Sequence, residues 1–175
     1  MFTILSSIKH DGGMIMREIC MKDDASILEI PSGENHVFGV VLPTSNSLTK
    51  DGLIDCRHKD TNYAARNLGV DRVAAEYYRK YGARVFYLGT FKNHSKGCMR
   101  LFSFPVRDKL KDSVDATTIA KSCEQLVSTL QKFKVDCCIL PYFGDSLEMA
   151  SFANCVCPIL DVMFDDTFVM IYRRS

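Results

Sequence analysis

The segment at residues 135–143, VDCCILPYF, is almost entirely apolar. A strand with one face in solvent alternates apolar and polar residues, whereas a strand covered on both faces is a continuous apolar run. Such a strand needs helices on both sides of its sheet. The segment therefore predicts a central strand of a layered α/β domain.

Apolar residues at helical spacing predict the covering helices. Residues 70–81 carry an apolar face that ends at Gly82, the residue type that commonly terminates a helix. Residues 119–133 predict a second amphipathic helix, for which Asp115 is a suitable N-cap. A third helix is predicted to begin near Pro158. Because proline has no N–H, it is tolerated only in the first turn of a helix.

The remaining strands follow from β-branched and aromatic runs. They are predicted over residues 14–21, 34–43, 83–91, 98–106 and 167–174. The strand at 34–43 is expected to end at Pro43, and 92–97 to turn a hairpin. The polar stretch 44–62 predicts a long loop, which in a compact domain is usually functional or mobile. Predicted strands thus alternate with predicted helices along the chain. This order predicts an α/β domain with a mixed sheet, in which ligands bind beyond the carboxyl ends of strands.

Composition suits a soluble globular protein with one domain over residues 1–175. The chain is 47% hydrophobic and 25% charged, and no repeat or linker divides it. A net charge of +1 predicts no strong general nucleic-acid footprint. No apolar run approaches the roughly 20 residues of a membrane helix. The N-terminus shows no secretion signal, so no membrane association is predicted.

The eight cysteines predict a reducing, cytoplasmic location in which they remain thiols. No C-x-x-C motif occurs, and the four histidines do not join the cysteines at zinc-finger spacing. The pairs Cys56/His58 and Cys155/Cys157 come nearest to a ligand pair. Buried thiols are the favoured interpretation, and neither a metal nor a cofactor is predicted.

The second half of the chain resembles the macro domain in the order and spacing of its motifs. FPVR at 104–107, KLKDS at 109–113, LPYFG at 140–144 and VCPIL at 156–160 stand where one branch has FPTK, HWRDxS, IPxLG and VKPLI. The resemblance is firm over about residues 98–172 and loose over about 34–97. It implies a three-layer α/β/α macro-domain-like fold with a mixed central sheet.

The resemblance also implies a ligand. Macro domains bind ADP-ribose and its derivatives, and some hydrolyse ADP-ribosyl linkages or remove the phosphate of ADP-ribose-1″-phosphate. The implied partner is an ADP-ribose-type nucleotide or an ADP-ribosylated macromolecule. Glycine turns and helix N-termini supply N–H donors to a diphosphate, and an asparagine can bind ribose hydroxyls through both amide atoms.

Site residues are implied by matching motifs. FGVVLPTSNS resembles the strand that ends in the ribose-contacting asparagine, here Asn46, and residues 50–52 stand in for the first glycine loop. The implied ligand-binding residues are Asn46, Lys50, Gly52, Phe104, Arg107, Tyr142, Phe143, Gly144, Asp145, Ser146 and Leu147. The residues implied for catalysis are His58, Glu148 and Asp51. Among them His58 titrates near neutrality and suits general acid–base work.

Departures from the family pattern fall on the chemistry. The second loop keeps only Gly144, and Asp145 places a carboxylate where a diphosphate would lie. Arg107 occupies the place of a nucleophilic lysine; an arginine cannot attack as an amine, although it can grip a phosphate bidentately.

Structural interpretations stay open beside the functional ones. Gly144 can be a simple bend, and Glu148 and the charges of residues 50–59 can be solvated surface groups. Three hypotheses follow: a binder of ADP-ribose-type nucleotides, a hydrolase acting on them, or a catalytically inactive protein-interaction module or binder of a different ligand.

Overall fold

A computed structural model describes residues 3–5, 17–21, 37–56, 59–92, 98–109, 112–141, 157–163 and 168–173. The strands are β1 (Thr3–Leu5), β2 (Arg17–Met21), β3 (Val37–Ser45), β4 (Tyr87–Lys92), β5 (Cys98–Arg107), β6 (Cys137–Pro141) and β7 (Phe168–Arg173). The helices are α1 (Lys59–Asn67), α2 (Val70–Tyr81), α3 (Ala116–Lys132) and α4 (Cys157–Met163). None of these four helices has the length and apolar character needed to cross a membrane.

The strands form one mixed sheet of seven in the order β1-β2-β7-β6-β3-β5-β4. Neighbours from β2 to β5 run parallel, while β1 and β4 pair antiparallel at the edges. Parallel neighbours need crossover connections, which place helices over the sheet. The predicted mixed central sheet is confirmed.

Two apolar clusters cover the two faces of the sheet. The first joins Val40, Leu42, Leu101 and Ile139 of the sheet to α1 and α2 through residues such as Ala64, Ala74 and Tyr78. The second joins Val41, Phe102, Phe104, Cys138 and Leu140 to α3 and α4 through residues such as Ile119, Leu126 and Leu160. Because successive residues of β3 and β6 enter opposite clusters, both strands are buried on both sides. The three-layer α/β/α fold is confirmed.

The predicted helix signals are also confirmed. Gly82 follows α2 with φ +79°, and its N–H donates to the Tyr78 carbonyl at 3.0 Å. Asp115 precedes α3, and its carboxylate accepts from the Thr118 N–H at 2.7 Å. Pro158 lies in the first turn of α4, as its missing N–H requires.

The predicted end of β3 at Pro43 is wrong, because the strand continues to Ser45. Pro43 pairs with Phe104 of β5, whereas the pairing of β3 with β6 ends at Val40. Backbone N–H groups of successive strand residues face alternate neighbours, so one proline interrupts the ladder on one side only. The ladder with β5 therefore carries β3 two residues further.

The predicted loop over 44–62 is shorter than expected, because α1 already begins at Lys59. Within the connection, Ile54 and Cys56 are buried against the α1–α2 face of the core. The many polar residues of α1 give no clear apolar face in the sequence; over residues 61–67, whose burial is described, Thr61, Ala64 and Ala65 are buried.

The strand predicted over 83–91 begins four residues later, at Tyr87. It pairs antiparallel with β5 as a hairpin would, and residues 93–97 between the two strands lie outside the described residues.

Candidate functional site

The carboxyl ends of β3 and β5 meet at one edge of the sheet. A β-bulge lies there, because Thr44 pairs with Pro105 and Ser45 pairs with Arg107. Beyond the strands, the Asn46 N–H donates to the Arg107 carbonyl at 2.9 Å. The segments that follow β3 and β5 are thus still hydrogen-bonded to each other where they leave the sheet.

Ser47 extends this connection by one more residue. Its N–H and its Oγ both donate to the Asp108 carbonyl, at 3.2 and 2.9 Å. The Ser45 hydroxyl donates to the Ser47 carbonyl at 2.6 Å, which closes a compact turn around Asn46. The backbone of Asn46 is therefore held from both sides.

The side chain of Asn46 is much less restrained than its backbone. It is half-buried, and its Nδ2 lies 3.4 Å from Oδ1 of the exposed Asp108, a long contact that contributes little. The amide can therefore turn to an incoming group while its Cα stays in place. Asp108 borders this candidate site and was not predicted, although its position directly after the FPVR motif was a usable signal.

The predicted first glycine loop forms a closed turn over residues 49–53. The Thr49 N–H donates to the Leu53 carbonyl at 2.8 Å, and the Gly52 N–H donates to the Thr49 carbonyl at 2.9 Å. Gly52 has φ +73°, a conformation that favours glycine. Lys50 and Asp51 are exposed at the tip of this turn.

Helix α2 contacts both the end of β3 and the turn over residues 49–53. The hydroxyls of Tyr78 and Thr44 lie 2.7 Å apart in the core, and the Arg79 guanidinium donates to the Gly52 carbonyl. Burial raises the pKa of the Tyr78 hydroxyl well above its ordinary value, with the Thr44 hydrogen bond opposing part of that rise. Tyr78 therefore stays neutral and able to donate at ordinary pH.

Arg107, for which the motif position implied a phosphate contact, is buried and bonded to the backbone. Only 3% of the residue is exposed, and its Nη1 donates to the Asp112 carbonyl at 3.0 Å. The Asp115 N–H donates to the neighbouring Val106 carbonyl at 2.8 Å. The guanidinium therefore holds the connection from β5 to α3 against the end of the sheet.

Phe104, which the motif also implied as a ligand-binding residue, is buried as well. Its side chain is fully buried in the cluster that packs against α3 and α4. The alternation of β5 explains this placement, since Phe102 and Val106 enter the same cluster. Phe104 is a core residue.

Described cysteines include five free thiols, of which Cys56, Cys123 and Cys138 are buried. Burial raises the pKa of each of these three thiols, to about 12 for Cys123, so they remain protonated. Among the residues with described positions, no three His, Cys, Asp or Glu side chains group to hold a metal ion.

Several predicted site residues lie outside the described residues. They are His58, Tyr142, Phe143, Gly144, Asp145, Ser146, Leu147 and Glu148. The structure brings Asn46 next to Asp108 and places Lys50, Asp51 and Gly52 in the turn that follows.

Solved structures share this architecture at low sequence identity. The macrodomain of Thermus aquaticus DarG has a TM-score of 0.55 at 14% identity, over 90% of this chain and 99% of that one. DarTG of Thermosipho africanus in complex with ADP-ribose has a TM-score of 0.54 at 12% identity, over 78% of this chain. This chain covers 38% of the DarTG chain.

A tomato leucine aminopeptidase mutant is similar as well, with a TM-score of 0.52 at 10% identity over 97% of this chain and 34% of that chain. The sequence matches no protein-family model and no curated protein. The chain has a macrodomain fold, which confirms the fold that the motifs implied.

Proposed function

We propose that this chain binds ADP-ribose or a related nucleotide derivative where β3 and β5 end. The observation that carries the proposal is the placement of Asn46, whose backbone is bonded to Arg107 while its amide stays adjustable. This placement occurs in a macrodomain fold, and one neighbour with that fold was solved with ADP-ribose.

The chemistry of Asn46 suits a ribose. Its amide offers one acceptor oxygen and two N–H donors, which match the two functions of a vicinal diol. Because the backbone is already fixed by the Asn46–Arg107 and Ser47–Asp108 bonds, binding orders only the side chain. Lys50, exposed in the next turn, supplies a positive charge for a diphosphate.

The rest of the ligand is assigned by motif alone. Residues 142–147 follow β6, which is the strand next to β3 in the sheet. Carboxyl ends of neighbouring parallel strands lie at one edge, so β6 ends at Pro141 on the same edge of the sheet as β3. We assign residues 142–147 to the diphosphate and the distal ribose, with Asp145 weakening affinity unless it faces away from the phosphates.

Calorimetry with ADP-ribose at concentrations up to about 1 mM tests the proposal, since a ligand that binds the folded state also raises the melting temperature. We expect measurable heat and a melting temperature that rises with ADP-ribose concentration. Asn46→Ala should weaken binding at least about tenfold, because it removes two hydrogen-bonding functions from the ribose.

Asn67→Ala is the matched control, since Asn67 is an exposed asparagine at the end of α1. It should bind ADP-ribose as the wild type does. Absence of heat with the wild-type protein contradicts the proposal, and equal affinity of Asn46→Ala contradicts the ribose assignment.

Hydrolysis of an ADP-ribosyl or ADP-ribose-1″-phosphate linkage is a second candidate. The observation that favours it is the exposed Asp51 carboxylate at the tip of the turn after β3. Asp51, His58 and Glu148 are the candidates for acid–base work. The enclosed Arg107 leaves no nucleophilic amine at that motif position, so turnover would have to use a water molecule.

Turnover is tested by incubation with a mono-ADP-ribosylated protein and, separately, with ADP-ribose-1″-phosphate. Release of ADP-ribose or phosphate by the wild-type protein supports hydrolysis if one of three variants abolishes it. These variants are Asp51→Asn, His58→Gln and Glu148→Gln. Bound but unaltered substrate assigns the chain to binding alone.

The alternative of an inactive interaction module or a binder of another ligand rests on the single Gly144 and on Asp145. A macrodomain fold also occurs within an aminopeptidase, so the fold does not decide the ligand. A folded protein that gives no heat with ADP-ribose favours this alternative. For either function we propose a reducing, cytoplasmic setting, in keeping with the free buried thiols.

A further inference from the structure

We propose that Tyr78 and Arg79, neighbours in the last turn of α2, are positioning residues for the ligand-binding segment between Asn46 and Gly52. The inference rests on the proposed function, because the segment matters only if it contacts a ligand. Tyr78 anchors the strand end that precedes the segment, and Arg79 anchors the turn at its far end.

The first anchor is buried. Tyr78 is 6% exposed and Thr44 is 1% exposed, and their hydroxyls lie 2.7 Å apart. Burial raises the pKa of Tyr78, and the Ser103 side chain of β5, whose hydroxyl donates to the Arg84 carbonyl, also opposes part of that rise. The phenol oxygen therefore ties α2 to β3, two residues before Asn46.

The second anchor lies on the surface. The Arg79 guanidinium donates to the Gly52 carbonyl, at the closing residue of the turn that begins at Thr49. A Cβ built on Gly52 would lie 2.6 Å from Nη2 of Arg79, so glycine leaves room for this contact. The turn therefore rests on the helix through one charged donor.

Consecutive helix residues point about 100° apart, which explains how one turn of α2 reaches both Thr44 in the core and Gly52 at the surface. Tyr78 enters the core while Arg79 extends across the surface, and both start from the same rigid turn. The residues between the two anchors, including Lys50 and Asp51, must follow the position of α2. Fixing a binding segment before the ligand arrives reduces the ordering cost of binding.

An exposed arginine–carbonyl bond contributes little to global stability. Its loss should therefore appear in the local order of residues 49–53 and in ligand affinity rather than in the melting temperature. This separates a positioning role from a merely structural one.

Hydrogen–deuterium exchange on the ligand-free protein, combined with ADP-ribose calorimetry, tests the inference. Arg79→Met keeps an unbranched stem of similar shape at this position and removes every donor. We expect exchange of the 49–53 amides to accelerate at least about fivefold, with α3 and β5 unchanged. Affinity for ADP-ribose should fall by about three- to tenfold.

Lys80→Met is the matched control, since it removes one positive charge from the next position, where Lys80 lies over the Tyr81 ring. It should leave both the exchange of residues 49–53 and the affinity unchanged. Arg79→Lys restores a donor and should recover part of both effects. Tyr78→Phe should accelerate exchange at the end of β3 without changing the fold.

Unchanged exchange in Arg79→Met, or equal effects of Arg79→Met and Lys80→Met, overturns the inference. Faster local exchange together with unchanged ADP-ribose affinity also overturns it, since the turn would then not position the ligand. If the wild-type protein does not bind ADP-ribose at all, the proposed function fails, while the exchange data still decide whether Arg79 orders the turn.

Discussion

Thr44→Val isolates the hydroxyl pair beneath the candidate site. Valine has nearly the shape of threonine and a strong strand preference, so β3 should keep its backbone and its packing. The change removes the hydroxyl that lies 2.7 Å from the Tyr78 oxygen and leaves that oxygen in the core. The expected loss of stability therefore measures one buried hydrogen bond.

The magnitude follows from the burial of the Tyr78 hydroxyl, which loses its hydrogen-bond partner Thr44. A buried polar group that loses its partner costs about 1–3 kcal/mol, and we expect a loss of stability in this range. For a chain of this length, that loss lowers the melting temperature by about 2–12 °C.

Urea unfolding followed by far-UV circular dichroism measures the change, with an unchanged slope indicating an unchanged unfolding reaction. Thr90→Val is the matched control, because the hydroxyls of Thr90 and Tyr87 lie 2.6 Å apart in an exposed position. Water replaces the lost partner there, so Thr90→Val should change stability by less than about 0.5 kcal/mol.

A double-mutant cycle tests whether the hydroxyls of Thr44 and Tyr78 interact. Removing both hydroxyls with Thr44→Val and Tyr78→Phe leaves no unpaired group between these two residues, so the double variant should lose less than the sum of the single losses. We expect a coupling energy of about 0.5–1.5 kcal/mol. Single losses that add to within about 0.3 kcal/mol would show that the pair does not interact.

Further predictions concern pH and packing. Burial raises the pKa of Tyr78 above its ordinary value of about 10, so its contribution to stability is complete below that pH and is lost as the pH rises. The stability difference between wild type and Tyr78→Phe should therefore shrink in alkaline urea titrations. The Thr118 side-chain hydrogen bond lowers the pKa of Asp115. Asp115→Ala should thus cost about 1 kcal/mol at neutral pH, and the cost should fade in melts as the pH drops below about 4. A Cβ on Gly39 would lie 3.0 Å from Val135 Cγ1, so Gly39→Ala should destabilise by about 1–3 kcal/mol in the same assay and Val135→Ala should relieve part of it.

Fold class could be predicted from the sequence because its signals are local. The apolar run of β6, the helical face ending at Gly82 and the Asp115 cap each depend on a few neighbouring residues. The elements that were missed depend on tertiary pairing. Pro43 stays in β3 because of its partner on β5, and α1 is a polar helix whose burial shows only once it meets the core.

The candidate site could be predicted only in part. Motif order predicted that Asn46 and the turn at Gly52 follow the end of a strand, and both do follow β3. The same order implied ligand contacts for Phe104 and Arg107, which the structure buries. A motif states the position of a residue in the chain, whereas the direction of its side chain depends on strand pairing.

The bulge at the end of β5 makes the length of this strand as important as its composition. Pairing with β3 passes from Pro105 to Arg107 and skips Val106, so Arg107 shares the sheet face of Ser45. Replacing Val106 by another apolar residue would change volume only. Deleting it would remove the bulge and shorten the path from Pro105 to the connection that Arg107 holds, so insertions and deletions here would disturb the site while the core composition stayed the same.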